Sequence, residues 1–282
     1  MRIRFWGVRG SIPVPGQATV KYGGNTPCLD ILTADQQVLI IDAGTGIRRL
    51  GQVLLEEYER RVIARIFLSH THWDHIQGLP FFAPLISRRN RVNVYGAKRA
   101  GKHLEEILAG QFFEPYLPFA YRSLQATMQV QEIDAGETIV IGEKTTVTAA
   151  PLNHPGGALG FRVEDEGVVF TYCCDTMHEE NDFDENLLAL AQGANLLVHD
   201  AHFASRELSS KFVDWGHSSW YEAANLARAA GAKTLGLFHY APDLADVELD
   251  EIRDEARAEF PRTIMTREGM VLQLPLGEDI PD

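Results

Sequence analysis

The stretch with the greatest chemical potential is residues 69–80, which read Ser-His-Thr-His-Trp-Asp-His-Ile-Gln-Gly-Leu-Pro. It places three imidazoles and one carboxylate within six positions, namely His70, His72, Asp74 and His75. These side chains are the ligands of a borderline divalent cation such as zinc. The apolar run at residues 64–68 precedes them and predicts a buried strand. The stretch therefore predicts a metal site at the end of a strand.

The spacing within this stretch bears on how many metals it can serve. If the backbone leaves the strand still extended, His70 and His72 point the same way, because side chains alternate along a strand. Asp74 and His75 then lie in a turn and can face a second position nearby. One turn could thus contribute ligands to two metals. The competing interpretation is a loop of ordinary polar surface residues, which would be preferred for an isolated histidine.

The composition fits a soluble globular protein and restricts its partners. The chain has 282 residues, of which 45% are hydrophobic and 23% charged, enough for one large domain or two small ones. Its formal charge of −13 repels polyanions, so a long nucleic acid would need a local basic patch. A small anionic substrate drawn in by metal ions meets no such obstacle.

The cysteines and the apolar segments predict the compartment. Cys28, Cys173 and Cys174 are too few for a disulfide framework, and the adjacent pair is poorly placed to bridge. No stretch has the apolar length of a signal sequence or of a membrane span. We therefore expect a reducing compartment, no membrane association and a cytoplasmic protein.

Short strands and helices must position the reactive residues. Runs rich in β-branched residues predict strands near both ends and throughout residues 128–172. Helices are predicted over residues 47–58, 100–110 and 221–232, the last with Ser218 or Ser219 as its cap, and over 246–259. Strands followed by helices recur in both halves and no linker separates them. This favours two facing sheets in one domain over residues 1–282.

Further polar residues follow predicted strands. They are Asp42, His154, Asp175, Asp200 and His239, while His217 precedes a predicted helix. Asp42 comes just before a turn and a helix, so it could act as a helix cap. The glycine-rich loop at residues 7–25 is either functional or a plain surface excursion. The aromatic segment at residues 111–126 could line a pocket or form a lid, or it could pack its rings into the body, which is slightly favoured.

The motif HTHWDH, followed by IQGLP, resembles the His-x-His-x-Asp-His signature of the metallo-β-lactamase superfamily. The Gly-Leu-Pro continuation resembles the ribonuclease Z and phosphodiesterase branch of that superfamily. The resemblance implies an α+β fold, a four-layer αβ/βα sandwich. In that branch the first loop, matched here by Gly-x-x-Gly-Ser-x-Pro and Gly-Gly-Asn-Thr, borders the mouth of the active site.

The resemblance also implies a ligand set for two metals. By motif position, the first metal is held by His70, His72 and His154, the second by Asp74, His75 and His239, and Asp175 bridges them. A hydroxide bridging the two cations would be the nucleophile, and Asp74 is counted among the catalytic residues. The family's early Asp-x-Gly orients a histidine ligand, which gives Asp42 an alternative role to helix capping. Zinc is the expected metal, while histidine and aspartate also accept manganese or iron.

The carboxy-terminal third resembles the ribonuclease Z pattern most specifically. LLVHDAHF, then GHSSWYEAANLARAAGA, then TLGLFHY match His-Glu-Ala-Thr, Gly-His-Ser-Thr before a helix, and a strand ending in histidine. Carried over by position, Asp200 and His217 form the acid–histidine pair that assists phosphodiester cleavage. The chain departs from the pattern at three positions: Asp200 replaces Glu, His202 replaces Thr, and Cys174 stands where glycine is common. Cys174 is also an alternative metal ligand.

These residues imply a dinuclear phosphodiesterase with a small substrate that could be cyclic. The family's pre-tRNA processing depends on an arm inserted between the motif histidine and aspartate, and only twenty residues separate His154 from Asp175. The cysteine-rich zinc site of related cyclic phosphodiesterases is missing. The alternatives are a ribonuclease Z-like RNA endonuclease, a thioester or lactone hydrolase, and a metal-stabilised binding module without turnover. The sequence leaves the oligomeric state open, with a homodimer as one option.

Overall fold

A computed structural model describes residues 1–113, 115, 117–118, 121–124, 127–178 and 184–281. Within these residues fourteen strands form two sheets of seven strands each. In chain order they are β1 Arg2–Gly7, β2 Cys28–Leu32, β3 Val38–Ile41, β4 Ile63–Phe67, β5 Arg91–Gly96, β6 Met128–Glu132, β7 Thr138–Ile141, β8 Thr145–Leu152, β9 Ala158–Asp165, β10 Val168–Cys173, β11 Leu196–Asp200, β12 Leu235–Phe238, β13 Thr263–Met265 and β14 Val271–Gln273.

The same part of the chain forms the α-helices that flank these sheets. They are α1 Ile47–Glu57, α2 Trp73–Ile76, α3 Leu104–Ala109, α4 Glu185–Ala191, α5 Arg206–Lys211, α6 Trp220–Ala229 and α7 Asp246–Glu259. The predicted helix at residues 246–259 is confirmed, and Ser219 caps α6 with its side chain accepting a hydrogen bond from the amide of Tyr221. None of the helices described is long and apolar enough to cross a membrane.

The two sheets have the same plan. One runs β14-β1-β2-β3-β4-β5-β6 and the other β13-β12-β11-β10-β9-β8-β7. In each, one half is antiparallel and the other is parallel, with β3 to β6 parallel in the first and β10 to β13 in the second. Parallel strands end at a common edge, where polar loop residues from several strands can meet.

Alternation along the strands divides the core between two layers. In β4, Phe67 packs between the sheets and Ile66 packs on the other face, toward α1 and α3. Aromatic rings fill the space between the sheets, with the centroids of Phe5 and Phe238 6.2 Å apart and those of Phe67 and Phe161 5.7 Å apart. Helices α4 and α6 pack on the outer side of the second sheet. The predicted α+β sandwich of four layers is therefore confirmed.

Two local predictions differ from the structure. The helix predicted over residues 100–110 begins only at Leu104, because Arg99 and Lys102 pair in a tight turn ahead of it. Asp42 does not cap α1, whose cap position is Gly46 and whose first turn has no side-chain cap. In the aromatic segment, Phe112 and Tyr121 are buried in the core beside α3 and Phe113 is exposed, whereas Tyr116 and Phe119 lie outside the described residues.

Candidate metal centre and acid–histidine pair

The polar residues singled out in the sequence lie just beyond the carboxyl ends of strands from both sheets. His70 and His72 follow β4, Asp74 and His75 lie on the short helix α2, and the remaining members, His154, Asp175 and His239, follow β8, β10 and β12. Asp42, Asp175 and His239 have positive φ angles of 60°, 58° and 60°. L-residues adopt this left-handed conformation at a cost, and it is concentrated at functional sites.

One group of ligand atoms surrounds a single oxygen of Asp175. Oδ2 of Asp175 lies 3.3 Å from Nε2 of His70 and 3.5 Å from Nε2 of His154. Nδ1 of His72 lies 3.2 Å from the same nitrogen of His154. Two ligands bonded to zinc at about 2.0–2.1 Å with a tetrahedral angle are about 3.4 Å apart. These separations therefore match the edges of a coordination tetrahedron.

A second group shares the same carboxylate. Nε2 of His75 lies 3.3 Å from Oδ2 of Asp175, and Nε2 of His239 lies 3.1 Å from Oδ1. The two imidazole nitrogens are 3.3 Å apart. Oδ2 of Asp74 lies 3.2 Å from His239 and 3.4 Å from His75. The structure thus brings all seven predicted ligands together, in two groups that meet at Asp175.

The hydrogen bonds around these groups direct ring nitrogens and carboxylate oxygens toward common points. Nδ1 of His154 donates to the carbonyl of Gly216 at 2.9 Å and Nδ1 of His75 donates to Asp42 at 2.8 Å, so each ring directs its Nε2 to the interior. Nε2 of His70 is buried without a hydrogen-bond partner among the described residues. Converging lone pairs and carboxylates repel one another, and a divalent cation between them removes that repulsion. The residues therefore fit a metal.

The local electrostatics prepares the first group for a cation. Burial lowers the pKa of His70 and His154, and burial together with the positive charge of Arg99 lowers the pKa of His72 to about 4. Burial would raise the pKa of Asp175, but the surrounding histidines outweigh it and hold this pKa well below its usual range. At neutral pH the first group consists of three neutral imidazoles and one carboxylate, the protonation that metal binding requires.

Asp42 lies directly behind the second group. Its carboxylate accepts hydrogen bonds from Nδ1 of His75 at 2.8 Å, from the hydroxyl of Tyr172 at 2.7 Å, and from both the amide and the hydroxyl of Ser69. All of these groups are buried. Such a contact fixes the orientation of a metal-binding histidine and increases its basicity. Of its two predicted roles, the geometry favours the orientation of a histidine.

Cys174 lies next to the second group but is arranged as a donor. Its Sγ donates to Oδ1 of Asp175 at 3.0 Å. Burial, followed by the charges of Asp175 and Asp200, raises the pKa of this thiol well above its usual value. Metals bind the thiolate, so coordination by Cys174 would require the loss of this proton. The described cysteines are all free.

His217 and Asp200 form the predicted pair. Nδ1 of His217 donates to Oδ2 of Asp200 at 2.9 Å. The ring of His217 lies between the two ligand groups, with centroid distances of 5.4 Å to His154 and 5.2 Å to His239. Burial disfavours the imidazolium, but the charges of Asp200 and Asp175 outweigh it and raise the pKa of His217 to about 9. In the metal-free protein the ring is therefore protonated at neutral pH.

The backbone that carries His217 is tied to the ligand loops. Gly216 has a φ of 75°, and a Cβ at this position would lie 2.2 Å from Cδ of Pro155 and 2.5 Å from Nδ1 of His154. Only glycine permits this approach and leaves its carbonyl free to accept from His154. The residue after His217 is also anchored, since the hydroxyl of Ser218 donates to the carbonyl of Thr176 at 2.6 Å.

Three further residues lie at the site without having been assigned a role from the sequence. The ring of His202 stacks on His217, the guanidinium of Arg99 contacts His72, and the amide of Ser11 donates to Oδ2 of Asp74 at 2.7 Å. Ser11 belongs to the glycine-rich loop, whose functional interpretation this contact favours. His202 differs from the threonine of the ribonuclease Z pattern, so the sequence drew attention to it. No motif in the sequence drew attention to Arg99.

Comparison with known sequences adds to this geometry. The sequence profile of the Beta-lactamase superfamily domain matches residues 37–257. Ribonuclease Z of Synechococcus sp. (strain CC9311) is 26% identical in an alignment 325 positions long that covers 95% of this chain and 97% of that protein. Ribonuclease Z of Methanothermobacter thermautotrophicus is 26% identical in an alignment 333 positions long that covers 100% of this chain and 99% of that protein.

Solved structures show the same fold. The metallo-beta-lactamase fold protein YhfI from Bacillus subtilis superposes with a TM-score of 0.72 at 20% identity, covering 96% of this chain and 98% of that one. A diphosphatase from the PhnP family has a TM-score of 0.70 at 18% identity, covering 97% of both chains. Human tRNase Z, short form, has a TM-score of 0.66 at 20% identity, covering 98% and 100%.

Proposed function

The chain belongs to the Beta-lactamase superfamily and is a hydrolase with the metallo-β-lactamase fold, and from this premise we propose that it is a metal-dependent phosphodiesterase. The proposed substrate is a small phosphodiester, cyclic or linear. The observation that supports this choice best is the position of His217, held by Asp200 between two groups of metal-binding side chains.

We propose the following ligand assignment. His70, His72 and His154 hold one cation, Asp74, His75 and His239 hold a second, and Asp175 serves both. When bound, two divalent cations supply Lewis-acid polarisation of a phosphoryl oxygen and a water acidic enough to react near neutral pH. Zinc is the proposed metal, since imidazole and carboxylate suit it, although manganese and iron accept the same ligands. Asp42 orients His75, and the backbone amide of Ser11 orients Asp74.

His217 is the proposed general acid. Its Nδ1 proton is held by Asp200, so the Nε2 proton is the one available to the oxygen of the leaving alcohol. A protonated ring is also attracted to the anionic substrate. Hydrolysis of a thioester or a lactone depends less on such a donor, so removal of His217 should leave turnover of those substrates nearly intact. The pair therefore favours phosphodiesters.

The surface around the site supports a small substrate. Residues 155–174, between two of the proposed ligands, form strands β9 and β10 joined by a tight turn at Glu166 and Gly167. Residues 161–165 of β9 pair with residues 168–172 of β10 within the second sheet, so no projecting arm exists in this segment. Together with the net charge of −13, this leaves little to bind a long polyanion.

An RNA endonuclease is the second candidate, because the two Ribonuclease Z relatives align over 95% or more of this chain. Such an enzyme must bind structured RNA, and its affinity would fall steeply as the salt concentration rises. Measuring RNA binding between low and physiological salt therefore separates the two candidates. A phosphodiesterase for small substrates would bind the RNA weakly at every salt concentration.

The proposed function is tested with purified protein whose metals have been counted. A screen of cyclic and linear phosphodiesters, including bis-p-nitrophenyl phosphate, should reveal turnover. His217→Ala should lower kcat by about 100-fold or more while keeping the metal content. His103→Ala is the matched control, since this exposed histidine pairs with Glu132 away from the ligand groups. This variant should keep the kcat and the metal content of the wild type. Full activity in His217→Ala, or no turnover of any diester, would refute the proposal.

A further inference from the structure

Arg99 follows β5 and places its guanidinium between two segments that carry metal-binding residues. Its Nη2 donates to the carbonyl of Pro155 at 2.7 Å, next to His154. The same nitrogen lies 2.9 Å from Nε2 of His72. The guanidinium therefore lies at the edge of the first ligand group.

The backbone beneath this guanidinium is shaped to receive it. Gly156 has a φ of 78°, and a Cβ there would lie 2.7 Å from Nη2 and 3.2 Å from Nε of Arg99. A side chain at position 156 would therefore expel the guanidinium from its place. The turn at Pro155 and Gly156 thus holds the guanidinium of Arg99 in place. The side chain therefore loses little conformational entropy when it binds a ligand.

The contact between Arg99 and His72 cannot persist as a hydrogen bond once His72 binds a cation. His72 presents Nδ1 to the ligand group, so the neutral ring must carry its proton on Nε2. A guanidinium nitrogen is only a donor, and it would then face another donor. Nη1 of Arg99 is already buried with no hydrogen-bond partner among the described residues. Nη1, and the N–H of Nη2 that does not donate to Pro155, are then available to an acceptor on a ligand.

The other basic residues near Arg99, at residues 98–103, do not share this position. Lys98 and His103 both turn toward Glu132, at 3.4 Å and 3.0 Å. The side chain of Lys102 is exposed. In the described part of this loop, Arg99 is the cation that contacts the ligand group.

We propose that Arg99 binds a second phosphate group of the substrate, next to the phosphodiester that is cleaved. This inference deepens the proposed phosphodiesterase function and rests on it. A guanidinium offers two parallel N–H groups to a phosphate, and here one N–H of Nη1 and the remaining N–H of Nη2 can serve in this way. The preferred substrates are then phosphodiesters with a further phosphate, either the next one in a short nucleotide chain or a terminal phosphomonoester.

The kinetic test compares uridine compounds that differ in their phosphates: UpU with one, pUpU with a terminal phosphate, and UpUpU with a second diester. In Arg99→Gln, kcat/KM for pUpU or UpUpU should fall about 10-fold or more, through KM, relative to kcat/KM for UpU with the same variant. Arg99→Lys should recover only part of the loss, because an ammonium cannot bind in the bidentate manner. A larger loss of kcat/KM for pUpU would identify a terminal phosphomonoester as the group that Arg99 binds, and a larger loss for UpUpU would identify the neighbouring diester.

Lys102→Gln is the control, because it removes the same charge from an exposed position of the same loop. Equal losses for Lys102→Gln and Arg99→Gln, or an unchanged preference in Arg99→Gln, would overturn the proposal. Turnover of bis-p-nitrophenyl phosphate, which has no second phosphate, tests the phosphodiesterase function separately and shows that Arg99→Gln is folded. If wild-type protein does not cleave it, the phosphodiesterase function fails.

A binding measurement tests Arg99 without turnover. Calorimetry on the zinc-loaded protein should show uridine 3′,5′-bisphosphate binding about 10-fold or more tightly than uridine 3′-monophosphate, with most of that difference lost in Arg99→Gln. Equal affinities of the two nucleotides for wild-type protein would contradict a second phosphate site.

Discussion

The imidazole ring of His202 lies nearly parallel to that of His217, with centroids 4.3 Å apart and planes inclined by 17°. Asp200 joins the two residues, since one carboxylate oxygen accepts from the backbone amide of His202 and the other from Nδ1 of His217, both at 2.9 Å. Burial and the neighbouring rings of His217 and His239 lower the pKa of His202 to about 3, so this ring is neutral. A neutral ring therefore supports the protonated one.

Removing this support should weaken catalysis without removing metal. His202→Ala deletes the stacked ring but keeps the backbone bond to Asp200. A stacked pair contributes about 0.5–1.5 kcal/mol, which predicts a fall in kcat of about 2- to 10-fold. His202→Phe keeps a flat ring and should retain most of the activity. Steady-state kinetics with metal analysis checks this, and wild-type kcat in His202→Ala would show that the stacking plays no part.

The charge of Asp200 should control the alkaline side of the pH–rate profile. His217 acts while protonated, so kcat should fall as the pH rises through its pKa, which is about 9 without bound cations. Bound cations move this limb to lower pH, because positive charge disfavours the imidazolium. Asp200→Asn removes an attraction that raises the pKa of His217, so the limb should move to still lower pH. Asp200→Glu keeps the charge and should resemble wild type, and identical profiles for Asp200→Asn and wild type would contradict this role.

Asp42 should influence metal affinity although it lies behind the ligands. Asp42→Asn weakens the hydrogen bond that orients His75. Loss of such a contact typically lowers metal affinity or activity by about 10- to 100-fold. Competition with a chelator measures the effect. Asp30→Asn provides the control, since Asp30 is equally buried but accepts from Arg4 and Trp6 away from the site. A loss of metal affinity as large in Asp30→Asn would point to general destabilisation instead.

Removal of metal should destabilise the fold. Four carboxylates, those of Asp42, Asp74, Asp175 and Asp200, are buried around the two groups, and without cations they repel one another. At a free metal concentration of 1,000 times Kd, binding adds about 4 kcal/mol to the free energy of unfolding. Thermal unfolding with EDTA should therefore occur at lower temperature, and added zinc should reverse the shift.

The same stabilisation should depend on pH. Burial disfavours a charged His75, but the carboxylates of Asp74, Asp175 and Asp42 outweigh it and raise the pKa of this ring well above its usual value in the metal-free protein. Its proton must leave when a cation binds, so metal affinity, and with it the stabilisation by zinc, should decrease as the pH falls. Equal unfolding temperatures with and without EDTA would exclude a structural contribution of metal.

The sequence by itself determined which residues could bind metal and where the strands end. His70, His72, Asp74 and His75 are close in the chain, so their proximity needs no tertiary information. The apolar runs predicted the strands because burial on both faces selects β-branched residues. Ser219 with Glu222 three residues later is a capping box, which is a local interaction and therefore readable from sequence.

The tertiary structure decided how separate loops meet. Asp42 was ambiguous because a carboxylate before a helix can cap it, and only its positive φ and its contact with His75, thirty-three residues away, gave it another role. Arg99 and His202 had no assigned role because their contacts cross between loops. Backbone conformation and long-range contacts depend on the packing of the two sheets. Residue types and spacing therefore define the available chemistry, while packing determines which atoms face each other.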